Sequence, residues 1–234
     1  MMTSPYRSFQ ILCITMKKIV KMIQTSVTNK IITIDSPSAI KTAVKQVSGL
    51  LRQGEIVIAP TETKYGMLAD ASNESALTKL FEVKGRPEFM PTAVFLRSVE
   101  EIKMYGKLSA KAENIAEEFL PGPLTIVLES LFGDKTYLVN NDKIGIRISS
   151  FDFIKQLIDK VDFPVTATSA NLSGQADSLT IDQLYKLFGD KVSLYVDGGK
   201  LEGEASTVVD ASTDELVVLR EGAIKTEQLK KYWN

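Results

Sequence analysis

The sequence predicts an α/β protein built on an open, twisted, mixed sheet with flanking helices, on two observations. Short runs rich in Val and Ile, of strand length, alternate with helix-length stretches whose apolar residues recur every three or four positions. Near the C-terminus, strand-length runs follow one another with no helix between them, so antiparallel as well as parallel pairs are expected. At 234 residues and 44% apolar, the chain can bury a full core, and one large domain over residues 31–234 is expected. No apolar run reaches the roughly 18 residues that a membrane span needs, so the expectation is a cytoplasmic protein.

Residues 1–30 are basic, acid-free and rich in Ser and Thr, with one short apolar run, Phe9-Gln10-Ile11-Leu12-Cys13-Ile14. A transit peptide has that composition; the reading taken is a flexible basic leader, or an over-long start with Met16 or Met22 as the first residue. Residues 31–34 read as a first strand. Asp35-Ser36-Pro37 then supplies a cap and a first-turn proline for a helix whose Ile40, Val44, Val47 and Leu51 share one face.

The stretch around which the rest is organised runs from Ile56 to Pro87. A buried strand at 55–59 breaks at Pro60 into the polar turn Pro60-Thr61-Glu62-Thr63-Lys64-Tyr65-Gly66, the profile of a loop delivered to the rim of a sheet. A helix follows, capped at Asn73-Glu74, with Leu77, Leu80 and Phe81 inward. It runs into Lys84-Gly85-Arg86-Pro87, where cations complement the helix C-terminus and Gly85 and Pro87 stop it.

Beyond it, residues 92–96 form a strand, 99–105 and 109–119 helices, Pro121-Gly122-Pro123 a rigid turn, and 124–128 another strand. Residues 144–148 alternate as a strand carrying Arg147, which the residues alone place as a surface cation on an edge strand. A strand at 164–168 leads into Ser169-Ala170-Asn171-Leu172-Ser173-Gly174, a turn dense in hydrogen-bonding groups. A helix at 180–188, strands at 193–196, 207–210 and 216–219, and a helix from about residue 226 complete the chain.

Composition restricts the chemistry. There is no histidine and a single cysteine, Cys13, which excludes Ser-His-Asp hydrolysis, His-ligated metals and internal disulfides. The net charge is −1, but residues 1–34 hold five cations (Arg7, Lys17, Lys18, Lys21, Lys30) and no acid, leaving 23 cations against 29 acids, a net −6, in the remainder. A body of that sign is a poor general binder of nucleic acid. Neither a Walker phosphate loop nor a Gly-x-Gly-x-x-Gly turn occurs, so a nucleotide would be held by dispersed cations, here Lys84, Arg86, Arg147 and Arg220.

Seven motifs occur in order: Pro60-Thr61-Glu62-Thr63-x-Tyr65-Gly66, Lys84-Gly85-Arg86-Pro87, Pro121-Gly122-Pro123-Leu124-Thr125, Ile144-Gly145-Ile146-Arg147, Ser169-Ala170-Asn171-x-Ser173-Gly174, Ser206-Thr207-Val208-Val209-Asp210 and Leu219-Arg220-x-Gly222-Ala223-Ile224. Together they resemble the YrdC/Sua5 family, the threonylcarbamoyl-AMP synthases of tRNA modification, in its short single-domain form. The resemblance implies a YrdC/RibB-like fold with a large concave cavity. It also implies a reaction in which L-threonine, bicarbonate or CO2, and ATP give L-threonylcarbamoyl-AMP and pyrophosphate, with Mg²⁺ bound through the phosphates and no protein metal site. Carried over by residue, it puts Thr61, Thr63, Arg147 and Ser206 on L-threonine, Lys84 and Arg86 on the ATP phosphates as catalytic cations, and Ser169, Asn171 and Arg220 on the nucleotide.

A separate threonylcarbamoyl transferase complex is the implied downstream partner, acting on adenosine 37 of tRNA. Several positions depart from the family pattern: Met90, Lys64, Ala205 and Asp177 stand where relatives usually carry Lys or Asn, an aliphatic residue, Glu, and Ser or Thr. Two other readings of the residues are a tRNA- or double-stranded-RNA-binding module using the same basic cleft, and a carbamoyl-transfer domain like that of the larger hydrogenase-maturation proteins. The latter carry zinc-binding Cys clusters that this sequence lacks.

Overall fold

The computed structural model describes residues 30–85, 92–132 and 138–233. The expected leader lies outside them apart from Lys30, as do Arg86 and Met90.

The first strand, β1 (Ile31–Thr33), leads to α1 (Pro37–Arg52), capped as expected by Ser36, whose hydroxyl accepts from the Ala39 amide at 3.2 Å. Next, β2 (Val57–Pro60) turns back at once into β3 (Tyr65–Leu68), so the polar turn is the tip of a hairpin and its second strand precedes the helix. Then come α2 (Glu74–Lys84), β4 (Ala93–Phe95), the one-turn α3 (Val99–Ile102), α4 (Ala110–Phe119), β5 (Leu124–Glu129), β6 (Val139–Asn140) and β7 (Lys143–Arg147). The chain continues through α5 (Asp152–Lys160), β8 (Val165–Ser169), α6 (Ile181–Phe188), β9 (Leu194–Asp197), β10 (Thr207–Asp210), β11 (Val217–Arg220) and α7 (Thr226–Lys230).

One sheet runs in the order β1-β9-β2-β3-β8-β4-β7-β5-β10-β11, with β6 beside β7. It is open, since β1 and β11 stand at opposite ends, and mixed: β1–β9, β2–β9, β4–β7 and β5–β10 are parallel, whereas β2–β3, β3–β8, β4–β8, β5–β7 and β10–β11 are antiparallel. Two apolar clusters cover it. One joins Val44, Val47 and Leu51 of α1 to Phe153, Leu157 and Ile158 of α5 and to Val57 and Ala59 of β2. The other joins Leu77, Leu80 and Phe81 of α2, Ile115 of α4 and Leu184 of α6 to Ile56, Ile58 and Met67. Burial on both faces is why β2 reads as an unbroken apolar run.

The edge-strand reading of residues 144–148 is corrected here: β7 lies between β4 and β5, and Arg147 is 7% exposed. The sheet order brings β3, β8, β4, β7, β5 and β10 side by side, and their rims enclose one space.

Candidate active site

A cavity of about 830 Å³ lies over the centre of the sheet, within the range of small-molecule sites. Alternate residues of each strand face it: Lys143, Gly145 and Arg147 of β7, Thr125 and Val127 of β5, Val208 and Asp210 of β10 with Ser206 just before it, and Ala93 and Phe95 of β4. A methyl group on Gly145 would stand 3.0 Å from the Ala93 side chain, so the glycine permits close approach of the two strands.

One end is built by the hairpin tip. The Thr61 hydroxyl closes the turn, donating to the Lys64 carbonyl at 2.7 Å and accepting from the Thr63 amide at 3.1 Å and the Lys64 amide at 3.2 Å. The tip thus needs a short hydroxyl at this position. Thr63 Oγ1 lies 3.0 Å from Thr61 Oγ1 and accepts from Arg147 Nη2 at 2.8 Å. The same nitrogen donates to Glu62 Oε1 at 2.9 Å, and the other oxygen of Glu62 accepts from the Ser149 hydroxyl. Arg147 also stacks over Phe95, 5.6 Å from the ring centroid, and its Nε is buried with no hydrogen-bond partner.

The wall opposite comes from β10 and β11. Arg220 Nε and Nη2 donate to the Ser206 carbonyl at 3.2 and 2.9 Å, and Nη2 reaches Ser206 Oγ at 3.1 Å; Thr125 Oγ1 lies 3.2 Å from that hydroxyl. Buried Thr207 fixes the chain beyond, donating to the Ile224 carbonyl at 2.6 Å and accepting from the Gly222 and Ile224 amides at 3.0 Å each. A methyl group on Gly222 would fall 2.2 Å from the Ala205 carbonyl oxygen, so only glycine fits there. Burial lowers the Arg220 pKa from its ordinary value, the charge of Asp177 opposing the shift and that of Arg147 adding to it.

The third wall is the loop after β8. Ser169 Oγ donates to Asn171 Oδ1 at 2.8 Å, and Asn171 Nδ2 donates to the Gln175 carbonyl at 2.8 Å. Behind this loop the Lys84 ammonium, on a residue 2% exposed, donates to the Ser169 carbonyl and, at 3.2 Å each, to the carbonyl and side-chain oxygen of Asn171. Gly85, at φ 59°, ends α2 and sets where Lys84 stands.

Of the residues singled out in the sequence, Thr61, Thr63, Arg147, Ser169, Asn171, Ser206 and Arg220 all line the one cavity. Lys84 stands behind its wall and holds the Ser169–Asn171 loop; Arg86 lies outside the described residues. Among the departures, Lys64 and Asp177 both line the cavity. Sequence reasoning missed the role of Glu62 and Ser149 behind Arg147, the Thr125 contact to Ser206, and the Lys143–Asp210 ion pair at 2.7 Å. Glu62 sits within a quoted motif, but its partner is 85 positions away.

Comparisons with known proteins identify relatives of the chain. The Sua5/YciO/YrdC family model, described as telomere recombination, matches residues 49–222. A relative from Methanocaldococcus jannaschii is 37% identical over 179 residues, covering 76% of this chain and 84% of its own length. The threonylcarbamoyl-AMP synthase of Pyrococcus abyssi is 33% identical over 191 residues, and the chain spans 56% of that protein's length. The crystal structure of P. abyssi Sua5 complexed with L-threonine superposes with a TM-score of 0.77 at 31% identity, over 86% of this chain and 60% of that one.

Proposed function

Because the chain belongs to the Sua5/YciO/YrdC family, we propose that it is an L-threonylcarbamoyladenylate synthase, using L-threonine, bicarbonate or CO2, and ATP. The observation that carries this reading is the convergence in one cavity of a buried arginine flanked by hydroxyls and, across it, a second arginine and a serine-asparagine loop. An arginine with a spare donor suits an amino-acid carboxylate, and the opposite wall suits a nucleotide's phosphates. The P. abyssi protein in complex with L-threonine supports the first assignment.

In this reading the α-carboxylate of threonine accepts from Arg147, with Thr61, Thr63 and Ser206 around the rest of the amino acid. Its amine attacks CO2 to give a carbamate and a proton. A carbamate oxygen then attacks the α-phosphorus of ATP, and the bond to the β-phosphate oxygen breaks to release pyrophosphate. Both nucleophiles belong to the substrates, so the chain's task is placement and charge stabilisation, and the absence of histidine is no obstacle. Arg220, Ser169 and Asn171 would orient the nucleotide, Arg86 would add a further cation, and Lys84 would keep the loop in register.

Among the described residues no group of three or more His, Cys, Asp or Glu side chains is placed to hold a metal ion. We read Mg²⁺ as carried by the phosphate oxygens, as suits an ion that keeps most of its water. The product would pass to a separate transferase complex acting on tRNA. No helix among the described residues is long and apolar enough to cross a membrane.

The test is pyrophosphate release by the purified protein with ATP, Mg²⁺ and bicarbonate, with L-threonine against L-serine. Threonine-dependent release is expected. Absence of release combined with tight RNA binding would favour the RNA-binding reading, against which the net negative charge of residues 35–234 already weighs.

A further inference from the structure

Arg147 is the most deeply placed cation of the cavity, and it comes with a carboxylate of its own. Its side chain is 8% exposed and that of Glu62 13% exposed. Glu62 does not line the cavity; it stands behind the guanidinium, fixed by the Ser149 hydroxyl. Both hydrogens of Arg147 Nη2 are accounted for, by Glu62 Oε1 at 2.9 Å and Thr63 Oγ1 at 2.8 Å, whereas among the described residues neither Nη1 nor the buried Nε has a hydrogen-bond partner.

We propose that Glu62 is the resident counter-ion of Arg147, with which an incoming amino-acid carboxylate has to share the guanidinium, and that it thereby keeps the affinity for the amino acid down. The inference rests on the reading of Arg147 as the carboxylate receptor. A guanidinium buried this far is tolerated only with a counter-charge, so Glu62 offsets the desolvation of Arg147 and holds it in place. The ligand's contact then falls to the donors left over, the two hydrogens of Nη1 and Nε–H. Two carboxylates on one guanidinium repel each other, and at this burial the repulsion is worth about tenfold in affinity. Glu62 is a positioning residue, acting on the ligand only through Arg147.

The test is calorimetric titration of the full chain with L-threonine and with L-threoninamide, which lacks the carboxylate charge. Gln at position 62 keeps the shape and an acceptor for Nη2 but removes the charge. Glu62→Gln is expected to bind threonine about tenfold tighter and threoninamide unchanged within about twofold, and Glu62→Asp, which restores the charge, to return towards wild type. Equal or weaker threonine binding by Glu62→Gln, or an equal gain for threoninamide, overturns the proposal.

Should Glu62→Gln fail to fold, the wild type decides alone. A receptor arginine already neutralised should prefer threonine over threoninamide by less than about thirtyfold, and a larger preference overturns the proposal. A wild type that binds no threonine, or an Arg147→Lys variant that binds it undiminished, would instead remove the carboxylate reading and the proposal with it.

Discussion

Two arginines line the cavity, and they are held in opposite ways. Arg147 is on the central strand β7, nine-tenths buried, and bonded to a carboxylate that itself is anchored. Arg220 is on the end strand β11, more exposed than Arg147, and among the described residues its hydrogen bonds go to the carbonyl and hydroxyl of Ser206. The first belongs to the folded core as much as to the site. The second makes no ion pair among the described residues, which suits a polyanion that has to enter and leave.

The sharpest break of that contrast is Arg147→Ala. It leaves Glu62 buried without a counter-charge and is expected to cost about 3–5 kcal/mol in urea unfolding, with loss of threonine dependence in the pyrophosphate assay. Lys84→Met comes next: three oxygens of the Ser169–Asn171 loop each lose one donor, with an expected loss of about 2–3 kcal/mol and a higher KM for ATP. Arg220→Ala should change stability by no more than about 1.5 kcal/mol yet raise the KM for ATP roughly 10- to 100-fold, more than that for threonine. If Arg147→Ala instead melts like wild type while Arg220→Ala unfolds, the assignment of core and ligand arginine is reversed.

The smallest effect is expected at Lys143–Asp210, where Lys143 is more than a third exposed. Burial alone would raise the Asp210 pKa, but hydrogen bonds from Lys143 and Ser212 hold it below its ordinary value. A carboxyl lowered in the folded protein contributes stability above its unfolded pKa, and that contribution is lost as pH falls through the folded value. Lys143→Met should therefore lower stability above about pH 4 by less than about 1 kcal/mol after solvent screening, the two profiles converging in acid. A profile unchanged above about pH 4 would count against it.

The elements that were legible in the sequence are those whose pattern is local. The apolar face of α1 with its Ser36 cap, the Asn73 cap and Gly85 stop of α2, and the doubly buried β2 each follow from neighbours a few positions apart. The strand β3 was hidden because Tyr65-Gly66-Met67-Leu68 is buried on both faces and so shows no alternation. Helix α5 went unassigned although Phe153, Ile154, Leu157 and Ile158 recur at helical spacing. Arg147 could not be read as buried, since what permits its burial is a carboxylate 85 positions earlier. Motif order alone gathered the lining residues; which of them are already engaged by the protein required the contacts.

The strand order also has a consequence in time. Because β1 pairs with β9, and Ser206 and Arg220 lie just before β10 and on β11, the N-terminal edge of the sheet waits for residues more than 160 positions later in synthesis. At ribosomal speeds that delay is roughly ten to thirty seconds. Throughout it the nascent chain shows an apolar β2 edge and no cavity, so this sheet calls for protection at the exit tunnel, and an interrupted chain leaves an aggregating fragment in place of a weaker binding protein.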